Sequence, residues 1–253
     1  MKLKLLTAAM ALTWASSASA VYVSNDGDDG VGTGLQGQID AITTAPTPGS
    51  SSIDVNADQL DDGLDSYWSI TGSGGSVSTF VVEVAGNSGS NTFGVYDRSN
   101  PTTFVELFSG SDGPNNGFGS QVTLSFLADG SVGINGSDTG IDFSSNQFGY
   151  YLGSASGPTF FSDSDLNTNG SDQMVALQGN DVDTINIPGY FAGTWTDNEF
   201  ILGWEDVLYA DGDQDFNDLV VMVESVLPVP EPGTLALLGL GLAGLGAARR
   251  KKA

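Results

Sequence analysis

From Tyr67 to Val226 the chain is written in short apolar runs, each cut off within a few residues by glycine, serine, asparagine or aspartate. Runs of that length read as β-strands, because a helix needs about ten or more residues at a 3.6 period to bury one stripe. Ten strands are predicted, over 67–71, 77–84, 91–96, 104–108, 120–127, 131–134, 148–152, 174–178, 199–204 and 219–226. Such spacing suits an all-β fold, an antiparallel β-sandwich or jelly roll. Ala128-Asp129-Gly130-Ser131 supplies an Asp-Gly turn between two of these strands. No strict internal repeat is evident.

Ahead of the strands, 21–66 forms an acidic N-terminal region expected to carry short helices and to pack on the body. Leu35, Ile39 and Ile42 fall at i, i+4 and i+7, which predicts one amphipathic helix ended before Pro46. Ala45 to Ser52 reads as a Pro/Ser/Gly linker. The five aspartates between Asp54 and Ser66 read as a solvated face around one or two helical turns at Leu60 and Leu64. Asp26, Asp28 and Asp29 sit in a loop that is either solvated or a weak cation site.

Of 253 residues 31 are acidic and seven basic, a formal charge of −24. Lys2, Lys4, Arg249, Arg250, Lys251 and Lys252 lie at the two ends, so Arg98 is the one cation of the body. A surface so anionic repels nucleic-acid phosphates and attracts divalent cations, and no nucleic-acid partner is expected. The chain has neither Cys nor His. That excludes disulfides, thiol nucleophiles and the usual serine, cysteine and zinc hydrolases, which need imidazole or thiolate. Carboxylates, Tyr and Arg98 remain for any acid–base chemistry.

Both ends carry segments that read as targeting or membrane-spanning rather than as part of the body. Lys2 and Lys4, then the apolar Leu5 to Trp14, then Ala18-Ser19-Ala20 form a secretory signal peptide over 1–20, cleaved after Ala20. At the other end, 228–253 holds Pro230-Glu231-Pro232-Gly233, an uncharged run from Thr234 to Ala248, and four basic residues. As a helix that run spans about 22 Å, short of the roughly 30 Å hydrocarbon core but able to cross with flanking residues and bilayer thinning. A C-terminal transmembrane helix is therefore expected, with its basic cluster cytoplasmic and the body outside.

The order Pro-Glu-Pro, short Gly/Leu/Ala helix, Arg/Lys tail resembles the PEP-CTERM sorting signal of Gram-negative bacteria. The resemblance implies recognition by an exosortase-type membrane protease that cuts near Pro230-Glu231-Pro232 after transient membrane insertion of the helix. It further implies delivery to the cell envelope, outer surface or extracellular matrix. Within the body, Asn91-Thr-Phe-Gly-Val-Tyr-Asp97, Tyr150-Tyr-Leu-Gly153, Phe160 to Asn167, Gln173 to Gly179 and the stretch from Gly203 to Ser225 resemble the domain of unknown function 4114, over about 67–226. That family carries no activity to transfer, so the resemblance bears on fold and localisation.

The densest chemistry lies between Trp204 and Leu219. Glu205, Asp206, Asp211, Asp213, Asp215, Asn217 and Asp218 crowd oxygen donors of the kind that hard cations bind. Asp211, Asp213 and Asp215 match the first, third and fifth ligand positions of an EF-hand, but Phe216 stands at the sixth and Met222 at the twelfth, so this is no EF-hand. A β-hairpin site is predicted instead, with carboxylates leaving one strand facing those entering the next, around Ca2+. The competing reading makes Asn217 and Asp218 turn-formers and the others solvated charge. Asp163, Asp165 and Asn167 open a second calcium-like loop ending at Asn169-Gly170, but Ala176 replaces its closing Glu; the alternative is an Asn/Gly turn. Two carboxylates flanking a sugar bond would make a glycosidase, and Trp68, Trp195, Trp204, Tyr150, Tyr151 and Tyr190 are candidate sugar platforms or core. No pair is singled out, so no catalytic residue is assigned. The expectation is a non-enzymatic exported protein, calcium-binding and associated with exopolysaccharide; the alternatives are a carbohydrate-active enzyme or a lectin-like adhesin of the matrix.

Overall fold

The structure, a computed structural model, describes residues 20–24, 34–70, 75–83, 90–109, 121–154 and 157–230, with backbone pairing alone for 75–83. Residues 1–19, 25–33 and 231–253 lie outside the described residues, and with them the expectations for Ala18 and the signal peptide, for Asp26, Asp28 and Asp29, and for Glu231, Pro232 and the C-terminal helix. Among the described residues no helix is long and apolar enough to cross a membrane.

Among the described residues all pairing between strands is antiparallel, in three sheets. The central sheet has seven strands in the order β11 (Met174–Gln178), β14 (Glu199–Trp204), β15 (Leu219–Glu224), β3 (Gly75–Glu83), β6 (Gln121–Phe126), β7 (Ser131–Ile134) and β8 (Ser137–Asp142). The facing sheet runs β16 (Val226–Pro228), β2 (Trp68–Ile70), β9 (Gln147–Gly153), β4 (Thr92–Asp97) and β5 (Asn100–Ser109), with β10 (Thr159–Phe161) also paired to β9. A small third sheet joins β1 (Thr43–Ala45), β12 (Thr184–Ile185) and β13 (Gly193–Thr194).

The two large sheets close on one core. Trp68 of the facing sheet meets Phe200 of the central sheet edge-on at 4.9 Å between ring centroids, Phe93 meets Trp204 at 6.0 Å, and Phe148 meets Phe126 at 5.7 Å. The predicted β-sandwich is therefore what forms.

The opposite face of the central sheet is covered as well. Helix α1 (Leu35–Ile42) lays Leu35, Ile39 and Ile42, all buried, against Val175, Leu177, Ile201, Val220 and Met222, together with Ile53, Val55 and Trp195. This explains why β11, β14 and β15 read as unbroken apolar runs rather than alternating ones: Met174, Ala176, Phe200, Leu202, Leu219 and Val221 face one core while their neighbours face the other. At Gly203 the cover leaves no room for a side chain, since a Cβ there would lie 2.6 Å from the Leu35 side chain and 2.7 Å from the Phe216 carbonyl oxygen. The second predicted helix shrinks to α2 (Asp62–Asp65), and Asp65 is buried rather than solvated, its carbonyl accepting from the Trp68 indole N–H at 2.8 Å.

Candidate functional site

Strands β14 and β15 pair from Glu199↔Glu224 to Trp204↔Leu219, so 205–218 is the loop of one hairpin and the acidic residues stand at its two feet. Apolar anchors fix both ends: Trp204 and Leu219 enter the sandwich core, and Phe216 turns into the other core beside Leu35. Turning Phe216 inward takes left-handed backbone at Gln214 (φ 66°) and Phe216 (φ 53°). The strain is held by the N-terminal cover, where the amides of Ser24 and Leu35 donate to the carbonyls of Gln214 and Asp215 at 2.6 and 2.9 Å.

At the centre is Glu205, fully buried. Its Oε1 accepts the Phe216 amide at 2.8 Å, while its Oε2 is buried and makes no hydrogen bond. Carboxylate oxygens of Glu205, Asp213 and Asp215 all lie within 4.8 Å of one another. Asp215 is buried and gripped by Asn217, whose amide donates to Oδ1 at 3.1 Å and whose Nδ2 donates to Oδ2. Asp218 accepts the Asp206 amide at 2.7 Å, and Asp206 accepts from Asn91 Nδ2 at 2.9 Å. Asp213 is half-buried and Asp211 exposed.

The electrostatics follow from crowding inside the fold. Burial pushes the Glu205 carboxyl up to about 8, with Asp218, Asp213 and Asp215 adding repulsion. Burial likewise pushes Asp218 up to about 8, helped by Asp206, Asp213 and Asp215. An unpaired buried carboxylate oxygen costs free energy unless a proton or a cation meets it. Gly212 leaves the room: a Cβ there would lie 2.5 Å from Glu205 Oε2.

Several participants had no signal of their own in the sequence. Gln173, fully buried, brackets the loop from the neighbouring strand: its Nε2 donates to the carbonyls of Glu205 and Val207, and its Oε1 accepts from the Tyr209 amide at 2.7 Å and the Ser171 hydroxyl at 2.6 Å. Asn91 and Gly212 join it.

The second loop is built differently. Asp163 accepts from the Tyr67 hydroxyl and from the Asp165 amide, the latter at 3.0 Å. Asn167 accepts the Phe161 amide at 2.8 Å and donates to the carbonyls of Phe161 and Ser171 at 2.8 and 2.9 Å. These side chains fold the turn, Asp165 is exposed, and Asn169 takes left-handed backbone at φ 61°. Of the sugar-platform candidates, Trp68, Trp195, Trp204, Tyr150 and Tyr151 are buried and Tyr190 is half-buried.

A carboxylate-footed hairpin on an anionic sandwich defines an acidic all-β protein in outline, and the comparisons fill in its kind. The model for the domain of unknown function DUF4114 matches residues 118–226, and the PEP-CTERM protein-sorting motif matches 228–251. The chain thus carries a DUF4114 region followed directly by a PEP-CTERM sorting motif. The body match contains the whole hairpin but begins well after residue 67, leaving the Asn91–Asp97 resemblance outside it. No curated protein and no solved structure matches the chain. The sorting motif makes it an exported protein, handled by an exosortase system and sorted to the cell surface of a Gram-negative bacterium.

Proposed function

We propose that this protein is a non-enzymatic surface component of the bacterial envelope or matrix, associated with exopolysaccharide, whose body is stabilised by calcium bound in the hairpin 205–218. The observation that carries the calcium reading is the buried Glu205 Oε2, without a hydrogen bond, on a carboxylate that clusters with those of Asp213 and Asp215. Oxygens coordinating one calcium at about 2.4 Å stand no more than about 4.8 Å apart, which is the span of this cluster. The donor set is all oxygen, the choice of a hard cation, and a loop that keeps Asp213 half-exposed suits the variable, six- to eight-fold coordination of calcium better than rigid octahedral magnesium. Asn217 holds Asp215 in place, and Asp206 and Asp218 add charge beside the ion.

The glycosidase reading has an observation in its favour, two carboxyls pushed up to about 8. Glu205 is fully buried beneath its own loop, however, where a glycosidic oxygen has no approach. With no His or Cys in the chain, the raised carboxyls are better read as a site that exchanges protons for a metal.

Thermal unfolding of the purified protein with calcium and with chelator tests this. Calcium should raise Tm, since a ligand of the native state adds RT ln(1 + [L]/Kd), about 2.7 kcal/mol at one hundred times Kd. An identical transition in both conditions sinks the calcium reading.

A further inference from the structure

On the far side of the hairpin from the acidic loop, Glu199 at the start of β14 stands directly opposite Glu224 at the end of β15. Like charges at directly opposed positions of an antiparallel pair destabilise it. Here Glu224 shares a hydrogen bond with Glu199, and burial together with that neighbour raises its pKa. The pair forms one wall of an open groove of about 180 Å³, floored by Ile185 and Ile187 and rimmed by Tyr190 and Phe191. Phe191 is 102% exposed, an aromatic ring held wholly in solvent on the short turn before β13. With Ile185, Ile187, Tyr190 and Met222 it makes one contiguous apolar surface along the groove, beside the two carboxylates.

We propose that this groove binds an amino-sugar unit of a matrix glycan, carrying a free, protonated amine. The groove is smaller than the roughly 300–1,000 Å³ of sites for drug-sized molecules, and suits a single ring. The C–H face of a pyranose stacks on Phe191 and the aliphatic floor, as amphipathic ligands do on aromatic platforms. Its ammonium meets the Glu199–Glu224 pair and relieves the repulsion between the two facing carboxylates. The same two carboxylates turn away uronic-acid and sulfated sugars, and Arg98, the body's single cation, is engaged elsewhere, donating to Gln147 Oε1 at 2.7 Å and lying 4.3 Å over the Tyr67 ring. The inference rests on the matrix-glycan reading above and is independent of calcium, because the groove shares no residue with the loop 205–218.

Calorimetric titration of the full-length protein with a glucosamine tetramer, its N-acetylated counterpart, a neutral glucose tetramer and tetralysine tests it. The glucosamine tetramer should bind at least about tenfold more tightly than each of the other three, a difference of about 1.4 kcal/mol. Phe191→Ala and Glu224→Gln should each cost about tenfold, while Asp142→Asn, an exposed acid on the distant strand β8, should leave binding unchanged. Phe191 is outside the core, so its variant keeps the wild-type Tm and separates lost binding from lost fold. Equal binding of tetralysine, or equal loss in Asp142→Asn, would mean general polyanion attraction and overturn the proposal. Binding of neutral or acetylated glycan that ignores the groove variants overturns the groove and keeps the matrix reading; binding of no saccharide overturns both.

Discussion

Glu205 holds two demands that conflict. It must stay buried so that its Oε1 can hold the Phe216 amide and fix the strained turn, yet burial leaves Oε2 without a hydrogen bond among three further carboxylates. A proton resolves this in the metal-free protein. Because the folded pKa values of Glu205 and Asp218 are raised to about 8, the native state binds protons that the unfolded chain, with carboxyls at about 4, releases. Their contribution is therefore most favourable below the unfolded pKa and is lost as pH rises toward 8. Chelated protein should melt at falling temperature from about pH 5 to pH 8, and excess calcium should flatten that fall. A chelated protein whose Tm rises across the window contradicts the assignment. Glu205→Gln separates the two roles: it keeps the acceptor for Phe216 while removing the charge. It should raise the chelated Tm near pH 8 and abolish the calcium-dependent increase, both readable in one set of melts.

At the scale of elements, the hairpin works because it is clamped from outside its own sheet. The N-terminal cover holds its backbone through Ser24 and Leu35, and Leu35 sits on Gly203, where no side chain fits. Gly203→Ala should cost about 1–3 kcal/mol, as overpacking does, seen in the urea midpoint at unchanged m-value. Since the displaced neighbours are Leu35 and the Phe216 carbonyl, it should also weaken calcium binding from a distance. Much of this architecture is legible in the sequence. All ten predicted runs contain strands, because each carries enough apolar residues to declare itself, and the Asp129-Gly130 turn forms with Gly130 at φ 98°. Strand β8 is not legible in the same way: Ser137 to Asp142 buries no residue fully and shows no apolar alternation. Its real signal is the turn before it, Asn135-Gly136, both at positive φ between the paired Ile134 and Ser137. The carboxylates of the site announce themselves by crowding, but their ranking does not, since only packing decides that Glu205 is buried and Asp211 exposed. Gln173 belongs to the site through long-range hydrogen bonds that no local pattern encodes.

For the molecule as a whole, stability rests on a layered arrangement in which strands β11, β14 and β15 of the central sheet are buried on both sides. Trp68 lies at the middle of the main core, against Tyr150 and Phe200. Trp68→Ala should cost about 3–5 kcal/mol, measured as the loss in unfolding free energy. That exceeds the gain of about 2.7 kcal/mol expected from calcium at one hundred times Kd, so the variant should stay destabilised at that concentration. Mass spectrometry of the surface fraction should show a chain lacking the residues beyond the Pro230-Glu231-Pro232 region; an intact C-terminus there would count against processing. The last strand bears on what happens to a body held by that end. After β15 the chain leaves the central sheet at Ser225 and adds β16, three residues long, to the edge of the facing sheet beside β2, with the Val229 amide donating to the Tyr67 carbonyl at 2.7 Å. Any pull on the C-terminus, from a membrane or a surface tether, would load this short edge ladder first. Under tension β16 should yield as a mechanical fuse, lengthening the tether by a few residues while the hairpin and both cores stay folded.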